Sequence, residues 1–359
     1  MTQITMDMFS EKRQVVKKNI HVAFASFVAE NNKKVLLEML CPQFNVIVNQ
    51  EEYDYYFVDE VMYYRMENMQ EVLAAKREAI KIMLAYEAVF PDLNIFDYAI
   101  CFVNQFNCQD RILHLPYLEM LNKSGYGALI SKLDSYKDNN IKKSRFCNFI
   151  YGNDRGHDMR ETLFWKISKY KQVDSLGKFL NNVVIENTRE DIDWLQKSIQ
   201  LKCPYKFSIA AENAIFPGYT SEKIVTSMLA GTIPIYWGNP DVELEYNGRS
   251  FINVMNYSSL DEVVKKIKLL DEDDTEYENM MQNPWRTDEQ IEQCQVNINQ
   301  FYKSFYKIFE TDIKYAHRRP EGCWPDNMYP EFFKSYMQKQ KRDRIIDRVL
   351  DYMRVKAYK

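Results

Sequence analysis

The stretch Tyr205–Asp241, YKFSIAAENAIFPGYTSEKIVTSMLAGTIPIYWGNPD, decides the fold. Phe207 to Ala211 is an apolar run of the length of a buried strand, and Glu212 and Asn213 stand at its end. Gly218 to Lys223 leads into a helical pattern from Ile224 to Ala230, and Gly231 stops that helix before a second apolar run, Ile233 to Trp237. This is one β-turn-α-β unit with its polar groups bunched at one end. In open α/β sheets, ligands bind beyond the carboxyl ends of the strands, near helix N-termini whose free N–H groups attract phosphate. A glutamate and a lysine opening such a helix suit a sugar nucleotide, the ammonium for a phosphate and the carboxylate for sugar or ribose hydroxyls.

Working outward, the same alternation continues on both sides. Upstream, strands are expected at Ile20–Phe27, Phe44–Val48, Tyr55–Val58, Ala79–Ala85 and Tyr98–Phe102, with helices at Asn31–Leu40 and Glu67–Ala75. Such βα alternation with short connections predicts a parallel sheet covered by helices. Residues 120–142, rich in Lys, Ser, Asp and Asn, read as a surface linker, and the lone Gly125-Tyr126-Gly127 pair as a loop within it. A second half opens with the strand Phe146–Tyr151 and the helix Arg160–Tyr170. After the central unit come a strand at Phe251–Val254 and a helix at Asp261–Leu270. The acidic run Asp271–Glu276 reads as a solvated loop.

With 359 residues, 46% hydrophobic and 27% charged, the chain is long enough for two ordinary globular domains. None of its 10 glycines precedes Gly125, which excludes a glycine-rich phosphate cradle in the first third. A net charge of −4 gives no reason to expect nucleic acid. The 7 cysteines form no C-x-x-C pair, and several sit in apolar segments, which predicts reduced thiols in the cytoplasm. The opening MTQITMDMFSEKRQVVKKN has no apolar core, so neither a secretory signal nor a membrane span is expected. The 4 histidines are too dispersed for a metal cluster, and His21 reads as a core or cleft-wall residue. At the far end, Lys339 to Lys359 carries Lys and Arg around one apolar face (Ile345, Ile346, Val349, Leu350, Met353). Such a helix either lies on an anionic membrane surface or packs back on the protein with its charges in solvent.

The central unit resembles the donor-binding motif of the α-1,3-fucosyltransferases, glycosyltransferase family 10. The family core Tyr-x-Thr-Glu-Lys reads Tyr219-Thr220-Ser221-Glu222-Lys223, with Ser for the family's Thr. The following T-x-P-x-x-x-G reads Thr232 to Gly238. A second segment, Ala85-Tyr86-Glu87-Ala88 followed by Pro91-Asp92-Leu93-Asn94-Ile95-Phe96-Asp97-Tyr98-Ala99-Ile100 and Arg111, is similar to the family's T-G-E-N turn and its downstream pattern. The usual glycine and asparagine of that turn are missing, but the carboxylate of Glu87 is kept. Phe146 to Asn153, Arg160 beyond it, and Val173-Asp174-Ser175-Leu176-Gly177-Lys178 are similar to the opening of the family's donor half, with Gly152 where a serine is usual.

The resemblance implies two Rossmann-like α/β domains facing each other across a cleft, the glycosyltransferase-B architecture, plus the C-terminal basic amphipathic helix. Its expected units are an acceptor-binding domain at 1–142, a donor domain at 143–305 and a helical tail at 306–359. It implies inverting transfer of L-fucose from GDP-β-L-fucose to a hydroxyl, O3 of N-acetylglucosamine in a glycan acceptor, as in lipopolysaccharide or capsule precursors. Glu87 is the implied general base, and Arg160, Lys178, Asn213, Tyr219, Ser221, Glu222 and Lys223 the implied donor-binding residues. No divalent metal is required, since Lys and Arg carry the phosphate charge. The lack of an N-terminal anchor places the expectation with the bacterial branch, cytoplasmic or peripheral on the inner membrane, with 339–359 as the membrane contact. Each residue also has a plainer reading: a surface ion pair for Glu87, an exposed helix arginine for Arg160, core packing for Tyr219, a solvated helix start for Glu222 and Lys223. A transferase for another GDP-6-deoxyhexose, or a non-catalytic nucleotide-sugar or glycan-binding protein, are the competing functions.

Overall fold

The computed structural model describes residues 16–60, 66–102, 110–135, 143–184 and 193–320. The expected basic helix at 339–359 lies outside them. The chain forms two parallel sheets. The first contains β1 (Asn19–Phe24), β2 (Asn45–Val48), β3 (Tyr55–Asp59), β4 (Ile80–Ala85), β5 (Tyr98–Cys101) and β6 (Ile112–His114), in the order β2-β1-β3-β4-β5-β6. Helices α1 (Glu30–Leu40) and α2 (Met66–Ala74) lie between its strands. Every residue of β3 and β4 is buried, as a strand covered on both faces requires.

The second sheet contains β7 (Arg145–Phe149), β8 (Val173–Ser175), β9 (Tyr205–Ala211), β10 (Ile233–Trp237) and β11 (Ile252–Asn253), in the order β11-β10-β9-β7-β8. Its helices are α5 (Met159–Ser168), α6 (Trp194–Lys202), α7 (Glu222–Leu229), α8 (Leu260–Glu272) and α9 (Asp274–Gln282), preceded by α3 (Tyr117–Leu121) and α4 (Gly127–Asp134). The β9-α7-β10 unit stands where the sequence places it, with β10 parallel to β9 from Ile233 against Phe207 to Trp237 against Ala211. Gly231, at φ +64°, turns the chain out of α7 in a left-handed conformation that favours glycine.

Two stretches differ from expectation. The linker at 120–142 is helical through Asp134. Met120, Leu121, Tyr126, Leu129, Ile130 and Leu133 recur at helical spacing among the polar residues and pack on the second core, and Gly125, at φ +92°, makes a bend inside the helix rather than a free loop. The acidic run is also structured: Asp271 ends its helix with a side chain only 5% exposed, paired with Lys171 at 2.8 Å, and Asp273 caps α9 by accepting from Thr275 and Glu276 N–H.

The long helix α10 (Asp288–Glu310) opens with a Thr287–Gln290 capping box and ties the halves of the chain together. Near its start, Gln290 Nε2 donates to the Glu243 carbonyl in the second half. Its far end puts Phe301, Phe305, Ile308 and Phe309 into the core of the first sheet, with the Phe309 ring centroid 4.6 Å from that of Tyr55. The helix runs straight across the domain boundary expected at 305. Beyond α11 (Ile313–Ala316), the buried Asp97 accepts from the backbone N–H of Arg318 and Arg319 and pairs with the Arg319 guanidinium. Among the described residues no helix is long and apolar enough to cross a membrane.

Candidate active site

Loops at the carboxyl ends of both sheets meet around one cavity of ≈ 870 Å³. The first sheet contributes Tyr86 and Glu87 after β4 and Phe102 after β5. The second contributes Tyr151 and Asn153 after β7, Arg160 from α5, Asn213 after β9, and Tyr219, Ser221, Glu222 and Lys223 at the start of α7. Seven of the eight residues expected to act are therefore in one place. The eighth, Lys178, is exposed in the turn after β8 and is not among the cavity residues. What that turn does need is Gly177, where a Cβ would overlap the Tyr151 carbonyl oxygen.

Glu87 is half-buried and held from the opposite sheet. Its Oε2 accepts from the Tyr219 hydroxyl at 2.6 Å and from Asn213 Nδ2 at 2.9 Å, although 126 residues separate Glu87 from Asn213. The side-chain Oδ1 of Asn213 in turn accepts from the Arg160 guanidinium. Tyr219 is packed as a core residue, only 2% exposed, and its hydroxyl nonetheless reaches the carboxylate. Burial, then the nearby charges of Glu212 and Glu87, push its phenol well above the ordinary range and keep it a donor.

Arg160 is not an exposed helix arginine. It is 5% exposed, donates through Nε to the Ala211 carbonyl at 3.2 Å and lies 4.5 Å over the Tyr151 ring. Gly156 makes room for it, since a Cβ there would overlap the guanidinium.

At α7 the geometry adds a residue that the sequence reading left without a role. Glu212 is fully buried and accepts from Ser221 N–H at 2.9 Å and from the Ser221 hydroxyl at 2.6 Å. Lys223 lies 3.2 Å from the Glu212 carboxylate and 3.2 Å from that of Glu222. Burial works against the Lys223 charge, but the two carboxylates overcome it and hold the ammonium above its usual range. Lys223 is thus a shared cation rather than a free one. Glu212 needs Gly238, because a Cβ at that glycine would overlap its side chain.

The α6 wall of the cavity, Trp194, Ser198, Leu201 and Lys202, was not anticipated. Lys202 is buried, donates to Thr226 Oγ1 at 2.7 Å and to Ser227 Oγ at 3.1 Å, and burial pushes its ammonium down to about 7. Nothing local marks it, because it stands with Lys197 on a short helix of mixed polar and apolar residues. No group of three or more His, Cys, Asp or Glu among the described residues could hold a metal ion.

Two parallel-sheet α/β halves thus meet at convergent strand ends, with a carboxylate on one side and a cation-bearing helix start on the other. Comparison with known proteins narrows the class. Residues 140–314 match the family model described as glycosyltransferase family 10 (fucosyltransferase) C-term. A putative fucosyltransferase R654 of Acanthamoeba polyphaga mimivirus is 26% identical over 289 residues, 77% of this chain and 45% of that protein. The alpha-(1,3)-fucosyltransferase FucT of Helicobacter pylori is 26% identical over 290 residues, 72% of this chain and 58% of that protein. The chain spans about half the length of these curated relatives. The crystal structure of an α1,3-fucosyltransferase shares the fold at a TM-score of 0.66 and 21% identity, covering 88% of this chain and 96% of that one.

Proposed function

We propose that the protein transfers L-fucose from GDP-β-L-fucose, with inversion, to O3 of N-acetylglucosamine in a glycan acceptor. The observation that carries this reading is the hydrogen bonding of Glu87 to Tyr219 and Asn213, which joins the family's two motif segments at one point. On this reading residues up to about 142 form the acceptor side, the second sheet holds the donor, and the cavity is the cleft between them. The acceptor hydroxyl gives its proton to Glu87 as its oxygen attacks C1, and the bond from C1 to the β-phosphate oxygen breaks. A positioned base of this kind typically contributes ~10²–10⁴-fold. GDP leaves as a diphosphate whose developing charge faces Arg160 and Lys223, so protein cations do the work that a metal does elsewhere.

The test is GDP release from GDP-L-fucose with and without N-acetyllactosamine, for the wild type and Glu87→Gln, with GDP affinity measured alongside. Acceptor-dependent release that falls ~10²–10⁴-fold in Glu87→Gln, with GDP affinity unchanged, is the expected result. Release only with another GDP-sugar would overturn the donor assignment. GDP binding without release from any donor would favour a nucleotide-sugar-binding protein.

A further inference from the structure

Glu60 follows β3, immediately after Asp59 and beside the end of β4. It is 1% exposed, and its Oε2 accepts at 3.0 Å from the backbone N–H of Tyr86, the residue immediately before Glu87. Its other oxygen, Oε1, is buried without a hydrogen-bond partner, and so is the Tyr86 hydroxyl. Tyr86 stands where the related turn has glycine, and its ring lines the cavity against Phe102 at 5.8 Å. A buried carboxyl with one idle oxygen is costly unless something else keeps it. Here it fastens a turn that lacks the usual glycine and asparagine.

We infer that Glu60 is a positioning residue for Glu87: by holding the Tyr86 peptide it fixes the direction in which the base leaves the end of β4. The inference rests on Glu87 as the base. The charges acting on Glu60 among the described residues are both carboxylates, Asp59 from its own strand and Glu87 after the neighbouring one, with the Tyr86 phenol beside them. Burial first, and these charges second, push the Glu60 carboxyl up to about 8, so it is neutral at pH 7. Its ionisation puts a negative charge behind Glu87 and favours proton uptake by the base.

The experiment compares the wild type with Glu60→Gln and Glu60→Ala by kinetics from pH 6 to 9 and by Tm from pH 5 to 9. Glu60→Gln, which keeps an oxygen for the Tyr86 N–H, retains kcat within about threefold at pH 7. Glu60→Ala loses roughly 10–100-fold in kcat with the KM for the donor unchanged, since a misdirected base slows chemistry and not donor binding. The wild type shows a rise in kcat centred near pH 8 that is absent in Glu60→Gln. Wild-type kcat in Glu60→Ala, equal losses in both variants, or a pH step surviving in Glu60→Gln would each overturn the inference. Should Glu60→Ala not fold, Glu60→Gln decides alone. Its Tm advantage over the wild type must grow as pH rises from about 5 to 8, because the raised carboxyl loses stability across that window. That readout needs no turnover. A normal Tm response in a protein inactive with every donor would strike the base assignment and leave the titration of Glu60 standing.

Discussion

At the scale of single residues, the site is a set of charges that hold one another. Lys223 neutralises the fully buried Glu212 and also meets Glu222, so its removal leaves an uncompensated carboxylate in the interior. Lys223→Ala should therefore lose about 3–5 kcal/mol of stability in addition to donor affinity, read as a lower denaturation midpoint in urea. Glu212→Gln combined with Lys223→Met should recover much of that loss, because both charges go together. Lys202 carries the opposite kind of strain. Its ammonium is pushed down to about 7 by burial, so the folded protein pays for charging it below that pH. For a depressed lysine the stability cost is complete below about pH 7 and disappears as pH rises towards the usual lysine range. Lys202→Met should accordingly gain most over the wild type at pH 6 and least at pH 10, as measured by thermal unfolding across that range. That Glu87, Arg160, Asn213 and Tyr219 share one cavity was legible because each lies in a motif with a recognisable neighbour. Glu60, Glu212 and Lys202 were not, since each acts through a partner distant in sequence or through burial that no local pattern reports.

At the scale of elements, the strands and helices of the β9-α7-β10 unit follow from periodicity: apolar runs of strand length, a polar turn, and a glycine that ends the helix. The short strands β6 and β8 escaped notice, being three residues each with no alternation to read. In the turn after β8, the glycine is the residue with a structural duty. Gly177→Ala would force the chain off the Tyr151 backbone, and a loss of at least ~1–3 kcal/mol is expected in equilibrium unfolding. Lys178→Ala, by contrast, should leave stability near wild type, since its side chain is exposed. Polar composition masks the helices between 117 and 134, whose apolar face shows only in the spacing of Leu121, Leu129 and Leu133.

At the scale of the whole molecule, α10 decides how the two sheets are joined. The helix begins against the second half and ends in the core of the first, where Phe305 is fully buried. Phe305→Ala should cost about 3–5 kcal/mol, with hydrogen exchange showing the loss first in β1 and β3, although the substitution lies about 245 to 285 residues downstream of them. By itself the sequence determined the α/β class, most of the strands along the chain, and the two motif segments that line the cavity, because these depend on patterns within about a dozen neighbouring residues. Tertiary structure alone decided that Glu87 is held by Tyr219 and Asn213, that Lys223 is shared between two carboxylates, and that a helix from the end of the described chain completes the first core. These depend on which strand ends are brought together and on what burial does to a charge, and neither is written in the spacing of residues along the chain.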